Sequence, residues 1–135
     1  GLLIRLFNKR ENKHFWHPIF YKGQTWPTEK PFELILQPST KDQFKFEIII
    51  GETVEKNDFD VIFENGIPKL AEIQEEDNIK AWNRQPLMLK INRPTTLGQD
   101  CLKLVFTIDS KSNLVVECKD YTEERLGEFI LGSIF

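Results

Sequence analysis

The segment from Leu102 to Cys118 constrains the fold more than any other part of this chain, because it has the pattern of a β-hairpin. Apolar side chains occupy every second position of its first half: Leu102, Leu104, Phe106 and Ile108. A period of two places them on one face of a strand. A polar turn follows at residues 109–113, and the alternation then restarts: Leu114, Val116 and Cys118. The sequence therefore predicts two antiparallel strands joined by a short turn.

Strand patterns recur along the rest of the chain. The clearest runs from Phe44 to Ile50, where the side chains of Phe44 and Phe46 point one way and that of Lys45 the other. We predict strands near residues 2–7, 15–21, 32–36, 44–50, 58–63, 87–91, 102–108, 114–118 and 128–131. The connections are rich in Gly, Pro, Asn and Asp. This pattern predicts an all-β fold, an antiparallel β-sandwich of about eight strands in two sheets.

Composition limits the classes of protein to which the chain can belong. Its 135 residues are 40% hydrophobic and 12% aromatic, which suits one domain, residues 1–135, around one core. The net charge of −3 argues against nucleic acid as a partner. No apolar run approaches the roughly 20 residues of a membrane span, so no membrane contact is expected. Because the chain starts at Gly1 inside a strand pattern, we expect a fragment of a longer protein.

The segment 69–85 differs from its surroundings. It is acidic, and its apolar residues, among them Leu70 and Trp82, follow no sustained helical period. We expect either a short helix or a long excursion packed through Trp82.

The two cysteines, Cys101 and Cys118, are expected to be reduced. If the hairpin turns around residues 110–112, Cys118 lies nearer Leu104 than Cys101, and a disulfide would need a shift of register. Unpaired thiols and the lack of a visible secretory segment predict a cytoplasmic protein.

No pattern for catalysis, a metal or a cofactor emerges. His14 and His17 are three residues apart on a predicted strand, so they point to opposite faces and chelate poorly. No glycine-rich nucleotide-binding motif is present. We therefore expect a protein without enzymatic activity, metal or cofactor in this segment. Three tryptophans, Trp16, Trp26 and Trp82, leave a carbohydrate-binding sandwich as an alternative.

Three stretches resemble the substrate-binding β domain of the heat-shock protein 70 (DnaK-type) chaperones. Residues 106–120 resemble its hairpin, F-D-I-D-A-(D/N)-G-I-L-x-V-x-A-x-D. Trp26-Pro27-Thr28, followed without a gap to Gly51-Glu52, resembles the family's I-P-T and G-E around its third and fourth strands. Residues 94–98 fall where the family has P-A-P-R-G. The resemblance rests on the order and spacing of the three stretches, and it implies that residues 27–52 fold back as neighbouring strands.

The chain also departs from the family pattern. The connection 8–14 is longer than usual, and 69–85 looks inserted. Ser112 stands where the family has the turn glycine, and we expect Asn113 to supply the left-handed backbone there. The helical lid and the ATPase domain of typical members are absent from this segment.

The resemblance implies a function without covalent chemistry. The domain would hold extended apolar segments of unfolded client polypeptides in a groove, where backbone groups bond the client backbone and an apolar pocket takes a side chain such as Leu. In the parent protein, an upstream nucleotide-binding domain with ATP and Mg²⁺ would control the groove, together with a J-domain co-chaperone. The alternative from another class is a protein-interaction scaffold whose groove is plugged.

The resemblance assigns groove positions residue by residue: Ile4, Phe7, Leu34, Gln37, Phe44, Phe46 and Ile91, or Asn92 in place of the last. Core packing alone explains Phe44 and Phe46 and is the favoured interpretation of both, and Gln37 is most often merely a loop residue. Phe44 falls at the pocket floor, where the family usually has Val. Since Phe is larger, we expect a narrowed pocket that binds smaller or different side chains, or a domain that has lost general client binding.

Overall fold

A computed structural model describes residues 1–8, 11–21, 31–54, 59–72, 76–83 and 86–133. Its strands are β1 (Leu2–Asn8), β2 (Lys13–Phe20), β3 (Phe32–Leu36), β4 (Lys45–Ile48), β5 (Ile50–Thr53), β6 (Val61–Glu64), β7 (Ile67–Leu70), β8 (Ile79–Ala81), β9 (Leu87–Lys90), β10 (Leu102–Ile108), β11 (Asn113–Asp120) and β12 (Arg125–Ser133). The stretch Trp26-Pro27-Thr28 lies outside the described residues.

The prediction of an all-β chain with antiparallel sheets is confirmed. Within the described ranges the only helical element is a 3-10 turn at Glu76–Asn78. The number of strands is higher than the eight or so expected. The predicted strand 44–50 is interrupted at Ile49, whose carbonyl accepts a hydrogen bond from the Arg5 amide (3.0 Å). In addition, β7 and β8 were not predicted; β7 pairs with β6, and β8 pairs with β5.

The chain forms two compact units. The first comprises Gly1–Gln24 and Ile48–Leu87. It contains a four-stranded sheet in the order β2-β1-β5-β8, with antiparallel pairing throughout. Leu2, Leu3 and Ile4 of the central strand β1 are all buried. Gly51 of β5 lies directly under the Trp16 ring, where a Cβ would stand 2.8 Å from a ring atom, so this position accepts no side chain without a shift.

The second unit comprises Thr25–Glu47 and Met88–Phe135. Its four-stranded sheet has the order β12-β11-β10-β3. The predicted hairpin is confirmed as β10–β11, with Leu104 opposite Cys118 and Ile108 opposite Leu114. The apolar face predicted from the alternation is buried: Leu102, Leu104, Phe106, Ile108, Leu114, Val116 and Cys118. Both cysteines are buried free thiols, as the register predicted.

Two local features differ from expectation, one in the strand pairing and one in the hairpin turn. β3 and β4 are not hydrogen-bonded neighbours, since β3 pairs with β10 and β4 with β9. β3 takes this place because Leu34 and Leu36 lie opposite Leu104 and Leu102, matching the apolar alternation of β10. At the hairpin turn, the left-handed residue is Ser112 (φ 64°) rather than Asn113.

The segment 69–85 forms no α-helix in its described residues. β7 ends at Leu70, and after the 3-10 turn β8 adds to the edge of β5. The Trp82 amide then donates to the Ile50 carbonyl (2.8 Å), so the backbone of Trp82 joins the end of this segment to β5. No helix within the described part of the chain is long and apolar enough to cross a membrane.

Candidate functional site

The strands β4 and β9 position the candidate site. The Ile91 amide, just after β9, donates to the carbonyl of Phe44, just before β4 (2.8 Å). Since β9 precedes Ile91 and β4 follows Phe44, the two strands run antiparallel. This register sets Lys45 beside Lys90 and Phe46 beside Leu89. The burial agrees, because both lysines are exposed and both apolar residues are buried.

Phe44 lies where the apolar side of β4 emerges from the core. Phe44 and Phe46 are two residues apart and share a side of the extended chain. Phe46 is only 5% exposed, whereas Phe44 is 54% exposed. Core packing therefore accounts for Phe46, while Phe44 presents about half of an aromatic ring to solvent.

The backbone that carries Phe44 is held by hydrogen bonds on both sides. The buried Thr95 hydroxyl donates to the Gln43 carbonyl (2.6 Å). The Gln43 side chain donates to the Lys45 carbonyl (2.8 Å) and accepts from the Ser39 amide (2.7 Å). Thr95 belongs to the stretch 94–98 that resembles the family. The exposed ring of Phe44 thus stands on a well-anchored stretch of backbone.

Gln37 and Leu34 lie on or next to β3 in the same unit. The Leu36 carbonyl accepts from the Cys101 amide (2.9 Å), which extends the β3–β10 pairing by one bond. Beyond it, the exposed Gln37 side chain donates to the Asp100 carboxylate (3.1 Å). Leu34 is half-buried opposite Leu104. Gln37 is therefore a loop residue with a defined partner.

Ile4 and Phe7 belong to β1 in the first unit. Ile4 is fully buried and lies opposite both His17 and Ile50. Phe7 is half-buried, and its ring meets the His14 ring edge to face at 5.2 Å. Within the second unit the structure brings Phe44 and Ile91 together, and Phe46 follows in the adjoining core. The groove assignment of the whole set stays a prediction.

Two residues of the candidate site, Lys45 and Lys90, were not predicted from the sequence. The ammonium of Lys45 lies 5.6 Å from the centre of the Phe44 ring, within cation–π distance. Lys90 lies beside Lys45, and neither has an ion-pair partner among the described residues. Each lysine adjoins a buried apolar residue, Phe46 or Leu89, which was the available signal, but only the register shows that the two lysines are neighbours.

Among the described residues, no three His, Cys, Asp or Glu side chains gather in a group that could hold a metal ion. Burial raises the pKa of the Cys101 thiol to about 11 and that of Cys118 to about 12, with smaller contributions from Asp100 and Glu117. Burial, and then the charge of Lys69, lower the pKa of His17. These thiols are protonated and this imidazole is neutral at physiological pH, so none of the three is an activated nucleophile or a cation.

Comparison with known proteins identifies no relative: no family model, no curated protein and no solved structure matches this chain. The observations that bear on function are therefore the geometry around Phe44 and the three sequence stretches.

Proposed function

We propose that this chain is a peptide-binding β domain of the heat-shock protein 70 type, which holds extended apolar segments of unfolded polypeptides. The observation that carries the proposal is the half-exposed ring of Phe44 on an anchored backbone. Rigid aromatic side chains that are partly open to water are typical anchors for a partner chain, because little side-chain entropy is lost on binding. The β-sandwich arrangement of the family is part of this proposal.

The binding free energy that Phe44 can contribute suits a domain that holds its clients reversibly. Full burial of a Phe side chain is worth roughly 1.5–3 kcal/mol, and about half of the Phe44 ring is still available. One such contact supplies about 1 kcal/mol, and backbone hydrogen bonds to the client add generality without sequence preference. The sum favours weak, promiscuous binding over a tight and specific complex.

The proposal extends to the parent protein. An upstream nucleotide-binding domain with ATP and Mg²⁺ would control release, with a J-domain co-chaperone as a further partner. The buried, unpaired thiols Cys101 and Cys118 are consistent with a reducing compartment such as the cytoplasm. The domain itself would carry out no chemistry.

Peptide binding by Phe44 variants tests the proposal. We expect a labelled apolar peptide to bind saturably by fluorescence anisotropy, and Phe44→Ala to weaken binding about fivefold, the equivalent of about 1 kcal/mol. Phe44→Val should weaken it less. Phe63→Ala is the matched control, since Phe63 is a similarly exposed phenylalanine (60%) of the β6–β7 hairpin in the first unit.

Three outcomes would contradict this function or its mechanism. If Phe44→Val strengthens saturable binding, peptide binding stands, but the ring narrows a pocket, as expected from the sequence, instead of serving as a contact. If no variant binds peptide, the interaction scaffold becomes the better hypothesis. Binding of oligosaccharides without binding of peptides would favour the carbohydrate-binding alternative.

A further inference from the structure

Lys45 and Lys90 form a pair of like charges beside the exposed Phe44 ring. They occupy facing positions of β4 and β9, where like charges destabilise a sheet. Glu47 and Met88 are the next exposed residues along the same face. No ion pair joins Glu47 to either lysine. The cationic pair is thus uncompensated within the described residues.

In the β12-β11-β10-β3 sheet of the same unit, by contrast, the exposed cations lie near carboxylates. Lys103 lies 3.8 Å from Glu33, Lys119 lies 3.5 Å from Glu117, and Arg125 lies 2.9 Å from Glu128. Each cation on that face therefore has a carboxylate nearby, although like charges also face each other there, as Lys119 does Arg125. The missing counter-charge at Lys45 and Lys90 is a local property of the β4–β9 face.

We propose that this face selects client segments in which an acidic residue flanks the apolar side chain that contacts Phe44. The inference rests on the proposed peptide-binding function and adds a charge preference to it. The Lys45 ammonium lies over the Phe44 ring. A client carboxylate that reaches this ammonium therefore belongs to a residue close in sequence to the apolar contact. Carboxylates of an extended segment supply the counter-charge that the chain lacks.

An acidic polypeptide fits this face better than a nucleic acid. Exposed aromatic and lysine side chains also occur where single strands stack. The chain as a whole is acidic, with a net charge of −3, and it would repel a polyanion outside the immediate patch. Met88, 54% exposed on the same face, adds apolar surface that suits side chains.

The test compares three fluorescent peptides that share one apolar centre and differ in their flanks, which are Asp, Gln or Lys. We expect the Asp-flanked peptide to bind the full chain most tightly, with an advantage that shrinks at high salt. Lys45→Gln and Lys90→Gln should each reduce that advantage by up to about fivefold, the range of an exposed ion pair. Lys119→Gln, at a lysine with its own carboxylate partner, should leave the advantage unchanged.

Each other outcome counts against the inference in a distinguishable way. Equal binding of the Asp and Gln peptides, or tighter binding of the Lys peptide, would overturn the charge preference while Phe44-dependent binding kept the proposed function. Failure of all three peptides to bind would overturn both. An oligonucleotide that bound more tightly than the Asp peptide, with the same dependence on Lys45 and Lys90, would assign the face to nucleic acid instead.

Discussion

Asp120 shows how one residue can organise a turn. Its side chain is only 2% exposed, and its carboxylate accepts hydrogen bonds from the Thr122 amide (2.8 Å), the Thr122 hydroxyl (2.6 Å) and the Glu124 amide (3.1 Å). The Arg93 guanidinium, which also bonds Glu124, donates to the other oxygen (3.1 Å). Burial raises the pKa of this carboxyl, but the bonds from Thr122, Glu124 and Arg93 together outweigh it and hold the pKa below its ordinary value.

The lowered pKa predicts a specific loss of stability in acid. The ionised carboxylate stabilises the fold fully above the ordinary pKa of 3.8, and this contribution is lost as the pH falls further, through the lower pKa of the folded state. We expect Asp120→Asn to reduce the free energy of unfolding by about 1–3 kcal/mol at neutral pH, because its amide would face the Arg93 donor. The difference should shrink in acid, measured by urea unfolding across pH.

Asp77→Asn, at an exposed aspartate, is the control and should follow the wild-type curve. A constant difference between Asp120→Asn and wild type at every pH would show that the charge of Asp120 is not what stabilises the turn.

At the scale of elements, the two hairpins of the β12-β11-β10-β3 sheet use the same turn twice. Asp109 begins one turn and Asp120 the other, and each carboxylate accepts from the backbone amides two and four residues later. In each turn the fourth residue is left-handed: Ser112 (φ 64°) and Glu123 (φ 65°). This is a type I turn followed by a bulge, a geometry that favours Gly at the last position.

The repeated turn predicts that glycine stabilises the sheet. A side chain in the left-handed region costs about 1–2 kcal/mol, and the entropy that Gly adds to the unfolded chain removes part of the gain. We expect Ser112→Gly and Glu123→Gly each to raise the free energy of unfolding by about 0.5–1 kcal/mol. Thermal and urea unfolding of the single and double variants would measure it.

Ser110→Gly is the matched control, since Ser110 lies in the same turn without a positive φ. It should be neutral or destabilising. If Ser110→Gly and Ser112→Gly change stability equally, the backbone geometry of the turn is not the cause.

At the scale of the whole molecule, each compact unit has its own sheet and its own buried apolar residues. Cys101 and Cys118 both lie in the second unit and are 2% exposed or less. With pKa values of about 11 and about 12, raised mainly by burial, the two thiols are almost fully protonated at neutral pH. Their reactivity with a thiol reagent therefore measures how often this sheet opens, because the thiols are inaccessible in the folded state.

Thiol labelling should accordingly be slow in the native protein. We expect a disulfide reagent at mildly alkaline pH to leave Cys101 and Cys118 largely unmodified, and to label both quickly in denaturing urea. Lys111→Cys, which places a thiol at an exposed turn position, is the positive control and should react at once. Fast labelling of the native thiols would show that the second unit opens far more readily than its burial indicates.

Much of the candidate site could not be predicted from the sequence alone. The positions of Phe44, Phe46 and Ile91 came from a resemblance, and alternation alone treated Phe44 and Phe46 as equivalent. Their exposure differs because other parts of the unit bury Phe46 but only half of Phe44, and a local sequence pattern cannot predict this. The pairing of β4 with β9 and the proximity of Lys45 to Lys90 likewise join segments about 40 residues apart in sequence.

Local pattern was sufficient for the all-β class, for the β10–β11 hairpin with its register, and for the two unpaired thiols. A side-chain period of two and a short turn act between near neighbours, so the residues themselves specify these features. Tertiary contacts decided the interruption at Ile49, the choice of β10 as the partner of β3, and the surface position of Phe44. Each of these depends on which distant backbone groups and apolar faces meet, and that is determined only when the whole chain is packed.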